Sequence, residues 1–475
     1  MTVPVLDAAV VGGGIAGLAT AFKLKENAAA SGGVLSLRLF ESAPRLGGHI
    51  RTVHRDGFIL EEGPDAFLSV KPAGVALARR LGMESDLVGT QDKYRKVFVA
   101  SGSRLRAFPE GFYMVAPSKI IPFALSGVLG PVAKLRALAD LWIRPRTDAA
   151  EEDCASFIRR RLGAEMYTRL AEPMIGSVYA GDPGRLSAEF ILPQFVELEK
   201  RYGSIIQGLL KGILAGNPSA SRGPRYALFV TIKNGLEDLI RALAGRLGEG
   251  EALTGSGVES VEREPGSAGW TLRLKDQKVF RSRSVCLAVP AFEAARMLKT
   301  SAPDLSARLS GIEYSSSAVV HLAYRRDQIR HKLDGFGFVV PRREGLPILA
   351  CSFTSVKFVS RAPRGHVLLR VFCRLGQDGA DGTDAEIAAA SREPVRRFLG
   401  IQGSELFSDV ARYPAAMPQY RVGHRKLLQA INHNLTQHPG LCLAGSGYDG
   451  LGIPDCIRQA EQAANSIWGQ SQNTP

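Results

Sequence analysis

A chain of 475 residues, 45% hydrophobic and 22% charged, is longer than one core usually serves, so two or three domains with room for a large bound group are expected. The formal net charge of +14 suits nucleic acid, an anionic membrane or an acidic small molecule, and the absence of a helix-turn-helix, zinc finger or aromatic single-strand platform sets nucleic acid aside. Six scattered cysteines, at 154, 286, 351, 373, 442 and 456, form no C-x-x-C pair or metal spacing, which excludes a disulfide scaffold and a metal site and fits a cytoplasmic protein.

In chain order, Met1 to Pro4 leads straight into a strand with no basic region or cleavage site, so no export signal is expected. Asp7 to Val11 is a short apolar run. It passes directly into Gly12-Gly13-Gly14-Ile15-Ala16-Gly17, which places G-x-G-x-x-G on Gly12, Gly14 and Gly17. Gly12 allows a tight turn, Gly14 lets backbone approach a pyrophosphate, and Gly17 lets the following helix lie close to the sheet. That helix, from about Ile15 to Lys25, offers its N-terminal N–H groups to an anion. Leu35 to Phe40 alternates like a strand and ends at Glu41, an acid able to accept both ribose hydroxyls. Glu41 stands a little further past Gly17 than the usual spacing of about 20 residues, and Asn27 to Gly33 reads as a loop absorbing the excess. A dinucleotide-binding βαβ unit is expected.

Arg45-Leu46-Gly47-Gly48 follows, where paired glycines and a guanidinium suit either a phosphate or a plain turn. Gly57 to Asp65 is a short strand ending in an acid and a turn. From Gln91 to Arg225 the pattern is mostly helical, with Ala133–Leu141 and Cys154–Leu162 at helical spacing. This section holds 20 basic against 13 acidic residues, either a solvated basic face or a site for an anionic partner. Its most apolar run, Ile120 to Ala133, is broken by prolines and glycines and is shorter than the roughly 20 residues a membrane span needs. It is read first as core or substrate channel and second as contact with a membrane surface.

Farther on, Asn234 to Leu239 opens a helix, Val258 to Val261 reads as a strand, and Ser284 to Pro290 is a strand ending in a turn. Ala318–Tyr324, Phe336–Pro341 and His366–Phe372 alternate and suggest a further sheet. Leu441 to Ser446 is a strand ending in glycine, Leu451 to Asp455 a turn, Cys456 to Ile467 a helix begun by Pro454 and Asp455, and Gly469 to Pro475 a frayed tail.

The ordered set of G-x-G-x-x-G, Glu41, R-x-G-G at Arg45 to Gly48 and E-x-G-P at Glu61 to Pro64 resembles the FAD-dependent amine oxidase superfamily. The segment Glu172-Pro173-Met174-Ile175-Gly176-Ser177-Val178-Tyr179-Ala180-Gly181-Asp182, with Leu186-Ser187 after it, resembles the porphyrinogen oxidase branch, as do M-P-Q-Y at Met417 to Tyr420 and G-I-P-D-C-I from Gly452. The resemblance covers essentially the whole chain.

It implies a discontinuous Rossmann-like FAD-binding domain, α/β, from residues 1–90, 226–295 and 412–475, a helical domain over 91–225, and an α+β, mixed-sheet substrate domain over 296–411. It implies FAD, with the pyrophosphate over Gly12, Gly14, Ile15, Ala16 and Gly17, and the ribose at Glu41 and Ser42. Arg45, Gly47, Gly48 and His49 would line the phosphate side, and Glu62, Gly63, Pro64 and Asp65 would approach the flavin. The backbone of Val258 would hold the adenine. Tyr413 stands where relatives often carry tryptophan near the flavin. Gly445, Leu451, Gly452 and Ile453 would face the pyrimidine, where turn amides and a helix N-terminus favour the negative charge gained on reduction.

For the substrate, the resemblance implies the Ser177 backbone carbonyl near the reacting carbon, although relatives have glycine there. Phe358 and Val339 would lie on the two faces of the macrocycle. Lys96, or Arg95 beside it, would meet a propionate; as bare residues the two are equally surface charges. The implied activity is oxygen-dependent oxidation of an anionic porphyrinogen in haem biosynthesis, with the flavin carrying the chemistry, no catalytic side chain and no metal. The basic surplus leans towards coproporphyrinogen over protoporphyrinogen. A homodimer and peripheral membrane contact would also fit relatives. Two other readings remain: a flavin amine oxidase, for which Tyr448 could be half of an aromatic pair, and an FAD-stabilised binding protein without turnover.

Overall fold

Three distant stretches of chain build one sheet in the computed structural model, which describes residues 5–472 apart from 118, 147, 149, 215–226, 264–268 and 377–381. Val5–Val11 is central, parallel to Leu37–Phe40 on one side and to Val279–Leu287 on the other. Ala252–Leu253 extends the first edge, and Trp270–Leu274 then Val258–Arg263 extend the second. Leu441–Leu443 pairs with the end of Val279–Leu287, so the C-terminal stretch closes the sheet that the N-terminal stretch begins. Central parallel strands are covered on both faces. Helices Ile15–Ala30 and Ile453–Gln472 pack together on one face, over Ala8, Val10 and Leu39, and Ala291–Leu298 with Pro303–Ser310 cover the other.

The second sheet runs in the order Phe407–Pro418, Tyr314–Arg325, His366–Arg374, Ile348–Ser352, Gly337–Val339, Val97–Ser101, Arg104–Ala107. Its last two strands precede the helices in sequence. Residues 97–107 therefore belong with this sheet and not with the helical section, because the apolar strand Phe98-Val99-Ala100 finds a partner edge at Gly337–Val339. The helices between Ile120 and Leu214 form a unit with its own core, centred on Phe123, Phe157, Leu170 and Phe195.

Three local expectations are corrected. The first helix continues through Asn27 to Ala30, since three successive alanines favour helix over loop. The tail is helical as far as Gln472; residues 473–475, like Met1 to Pro4, lie outside the described residues. Ile120 to Ala133 is split, with Phe123, Val128 and Leu129 in the core while Ile121, Leu125 and Val132 face outwards. Within the helical section, a π-helical turn at Tyr167–Ala171 runs directly into Glu172–Tyr179. No helix of the described residues is long and apolar enough to cross a membrane.

Candidate functional site

The glycine loop is built so that each glycine is needed for a different reason. Gly12 has φ +106°, and a Cβ there would lie 2.4 Å from the Ala288 carbonyl oxygen. A Cβ on Gly17 would come within 1.8 Å of the Gly12 carbonyl oxygen. Around Gly14 nothing lies within 4 Å of such an atom, and no side chain caps the helix that begins at Ile15. The loop thus presents an open, uncapped helix N-terminus with space above one glycine, which fits a pyrophosphate. Ala16 and Gly17 are buried beneath it.

Glu41 ends its strand beside this loop, one carboxylate oxygen accepting from the Gly13 N–H at 2.6 Å and the other from the Ala43 N–H at 2.7 Å. Ser42 donates to the same carboxylate and lines a cleft of about 310 Å³ with Gly255 to Gly257 and Leu274 to Asp276. Val258 begins the edge strand beside that cleft; its side chain is buried and its carbonyl accepts from Arg296 at 3.1 Å. The elements for a nucleotide therefore converge at one end of the first sheet.

The second glycine pair meets the first. The Gly47 N–H donates to the Gly13 carbonyl at 2.8 Å, and a Cβ on Gly48 would lie 3.2 Å from the Gly14 Cα. The Arg45 guanidinium donates to the carbonyls of Leu46, Gly48 and Ile50, so it clamps this turn. His49 is exposed and stands edge-on to the Tyr413 ring, with centroids 5.5 Å apart. Burial and the nearby Glu62 carboxylate push the Tyr413 hydroxyl up to about 12.

Gly63 must lack a side chain, because a Cβ would fall 1.7 Å from the His49 carbonyl oxygen. Pro64 follows, and Asp65 lies between Lys357 Nζ at 3.0 Å and Arg370 Nη1 at 3.6 Å. Burial alone would raise the Asp65 carboxyl, but these two cations hold it below the usual carboxylate range. Arg370 also donates to the Gly63 carbonyl, and Arg51 pairs with Glu62 at 3.1 Å. In the C-terminal stretch, Gly445 has φ +137°, and the Gly452 N–H donates to Asp455 at the start of the helix from Ile453. The Tyr420 hydroxyl donates to the Ser446 carbonyl at 2.6 Å and accepts from the Gly450 N–H at 3.0 Å. That one side chain spans the loop leading to Leu451.

Ser177 lies in the last turn of Glu172–Tyr179, where carbonyls have no partner further along the helix. Val339 packs in the same cluster as Ile175 of that helix, with Phe372, Tyr179 and Leu451 against it. The helix bearing Ser177 thus packs against the strand bearing Val339, in an apolar cluster that Leu451 joins. Phe358 is elsewhere: it is 0% exposed, with Lys357 Nζ 5.1 Å and the Arg361 guanidinium 5.7 Å from its ring centroid. The short helices on either side turn it inwards, so it offers no face to a macrocycle, which corrects that assignment. Arg95 and Lys96 are more than half exposed and ion-paired, with Asp92 at 3.1 Å and Asp334 at 2.9 Å.

The cations that do approach the Ser177 helix are others. Arg374 Nη2 lies 3.5 Å from the Gly181 carbonyl, and the Arg342 guanidinium lies 3.9 Å from Asp182 while its backbone N–H donates to Glu172. Arg370, Phe372 and Arg374 alternate on one strand and share a face, a signal that was readable in the sequence but went unused. Among the described residues no cluster of three His, Cys, Asp or Glu side chains is placed to hold a metal.

Coproporphyrinogen III oxidase of Bacillus subtilis (strain 168) is 32% identical over 459 residues, covering 96% of this chain and 96% of that protein. The chloroplastic protoporphyrinogen oxidase of Nicotiana tabacum is 31% identical over 487 residues, covering 98% of this chain and 86% of that protein. A crystal structure of a candidate protoporphyrinogen oxidase from Exiguobacterium superposes with a TM-score of 0.84 at 27% identity, over 98% of each chain. The flavin containing amine oxidoreductase model matches residues 15–468, and the chain belongs to that family.

Proposed function

We propose that this chain is an oxygen-dependent FAD oxidase of haem biosynthesis that converts a porphyrinogen to the porphyrin with release of hydrogen peroxide, and that coproporphyrinogen III is its preferred substrate. The observation that supports the reading is the shared apolar cluster of Val339, Phe372 and Leu451 with Ile175 and Tyr179 of the helix whose final turn holds Ser177. That apolar surface suits a macrocycle, and the Ser177 carbonyl in the final turn can accept from a pyrrole N–H group, the Tyr179 carbonyl being taken by Gln419. Arg374, on the strand face of Phe372, is the cation we place against a propionate. Near-full-length likeness to proteins named for both porphyrinogens supports the substrate class, and the net charge of +14 favours the substrate with more carboxylates.

FAD, when bound, supplies hydride acceptance and electron transfer to oxygen. The chain holds it in the proposal with the Gly12–Gly17 backbone at the pyrophosphate, Glu41 at the ribose, and the Glu62–Asp65 and Gly445–Ile453 segments on either side of the flavin. The amine oxidase reading gains nothing from Tyr448, which is buried in the core under the first sheet, with its carbonyl bonded to His424. The test is porphyrin fluorescence appearing in air when purified yellow protein receives coproporphyrinogen III or protoporphyrinogen IX. Catalysed formation is expected with both and more efficiently with the first; rates no higher than the enzyme-free control would reject the class.

A membrane-facing surface belongs to the same proposal. Ile121, Leu125, Val132, Leu135 and Trp142 are exposed, from 69% for Leu135 to 82% for Leu125, on and just after the short helices Ile120–Leu125 and Pro131–Leu138. The same stretch carries Lys134, Arg136 and Arg144, with Lys119 and Arg146 paired to Glu110 and Asp148 at its ends. The one acid in this stretch, Asp140, is buried in an ion pair. An apolar face with a basic rim fits an anionic lipid surface. Vesicles containing phosphatidylglycerol should co-sediment with the protein, and Ile121→Asp with Leu125→Asp should weaken this by about tenfold or more, as expected from losing two buried aliphatic side chains. Equal binding by the double variant would remove the assignment.

A further inference from the structure

Three adjacent strands of the second sheet set Arg370, His321 and Asp409 directly opposite one another, His321 in the middle. Residues opposed in this way point to the same face. That face lies against the strand Phe58–Glu61 and the turn after it, since Phe58 and Leu60 pack on Ala323 and Leu368, and Arg370 donates to the Gly63 carbonyl. The row therefore runs beneath the Glu62–Asp65 segment.

Its polar groups are incompletely bonded. His321 is 0% exposed, and among the described residues neither ring nitrogen has a hydrogen-bond partner. Asp409 Oδ2 lies 3.8 Å from His321 Nδ1, too far for a hydrogen bond, and it too lacks a partner, as does Arg370 Nε. Buried polar groups are nearly always satisfied, so four orphaned atoms on three residues of a single row require a reason. Asp409 is also 30% exposed at its side chain, which gives the row an outlet to solvent.

The charges facing His321 come from every element packed on it. Arg370 flanks it on one strand. Asp409 flanks it on the other and is itself influenced by Arg51 and Arg55 of the neighbouring hairpin. Across the face stand Glu61, ion-paired with buried Arg361, and Glu62, paired with Arg51. Asp65 is held between Lys357 and Arg370. Burial lowers the His321 imidazole below its usual value, Asp409 and the Glu61 backbone opposing this and Arg370 adding to it, so the resting ring is neutral. Negative charge arriving above Glu62–Asp65 would draw a proton onto it.

We propose that His321 is a redox-linked proton store, taking up a proton when the flavin above Glu62–Asp65 is reduced and releasing it on reoxidation. The inference rests on the FAD oxidase reading. In the first half-reaction the substrate loses a hydride to the cofactor and a proton, and the imidazole takes a proton through the Asp409 outlet, so the buried site gains no net charge. In the second half oxygen accepts two electrons and two protons, one from the cofactor and one from the imidazole, and leaves as hydrogen peroxide. Arg370 and Asp409 act as positioning residues that set when His321 titrates.

The test is the pH dependence of the flavin midpoint potential, measured on purified holoenzyme by dye-coupled anaerobic reduction without porphyrinogen. For a two-electron couple each bound proton contributes about 30 mV per pH unit. The wild type should show two protons, hence twice that slope, over a window within about pH 5.5 to 9 where histidine titrates, and His321→Gln should show one throughout. Asp409→Asn should move the steep window to lower pH, because the carboxylate that favours imidazolium is gone; this variant decides the matter if His321→Gln does not fold. A one-proton slope in the wild type, a two-proton slope kept in His321→Gln, or a steep window left in place in Asp409→Asn would overturn the proposal. A normal potential with no porphyrinogen turnover would instead reject the substrate reading while leaving the proton store standing.

Discussion

Replacing Gly17 with alanine is expected to yield protein that retains almost no FAD. The added Cβ would sit 1.8 Å from the Gly12 carbonyl oxygen, and both atoms belong to backbone, so no side chain can move aside. The helix N-terminus must shift away from the loop, separating the N–H groups that would bind the pyrophosphate. Overpacking of this kind costs about 1–3 kcal/mol of stability, occasionally more, so the melting temperature should fall as well. Gly14→Ala separates folding from binding: φ is −73° and nothing lies within 4 Å of the new methyl. Its apo-protein should stay within about 0.5 kcal/mol of wild type, while FAD affinity drops by tenfold or more, the roughly 1.4 kcal/mol per decade expected for a displaced phosphate contact. Flavin-to-protein absorbance ratios and calorimetry of the apo-proteins check both variants. Full flavin content in Gly17→Ala, or undiminished affinity in Gly14→Ala, would place the phosphate elsewhere.

These glycines were legible in the sequence because their role is local. A tight turn, a close helix and a strand-terminal acid each depend on a few consecutive residues, so Gly12 to Gly17 and Glu41 could be placed from spacing and composition. The last helix is expected from Cys456, three residues after its start at Ile453. What depended on register between distant strands could not. Nothing near His321 in sequence announces that Arg370 and Asp409 will flank it, since that row exists only once three strands align. Phe358 illustrates the converse. Similarity to a motif offered it as a stacking ring, but whether an aromatic faces a cleft or the core depends on the two short helices that orient it. Ile120 to Ala133 misled for a related reason: apolar composition records an aversion to water, and both a core and a lipid-facing surface satisfy it.

Asp140→Ala is expected to cost about 3–5 kcal/mol, the range for removing one partner of a buried ion pair. Asp140 and Arg161 are both 0% exposed and meet at 2.5 Å. The second Asp140 oxygen accepts from the Ser204 hydroxyl at 2.6 Å and the Ile206 N–H at 2.9 Å, while Arg161 also donates to the carbonyls of Ile143 and Gly203. The pair thus ties helix Cys154–Leu162 to the start of Ile205–Leu214 and to the turn after Pro131–Leu138. Alanine would leave the buried guanidinium with only the longer contact to Glu199 at 3.5 Å and two donors unsatisfied, an outcome far costlier than losing an exposed pair such as Arg458–Asp449, worth about 0–1 kcal/mol. Calorimetry should show the helical unit melting earlier by on the order of 10 °C, from roughly 2–4 °C per kcal/mol in a unit of this class. The double variant Asp140→Leu with Arg161→Met removes both charges and should recover most of the loss, since an apolar replacement of a buried pair is often neutral. A single variant within about 1 kcal/mol of wild type would mean that water already reaches the pair. The helix bearing Ser177 packs on this same core, so loosening it should raise KM for porphyrinogen while FAD, held by the other sheet, stays bound.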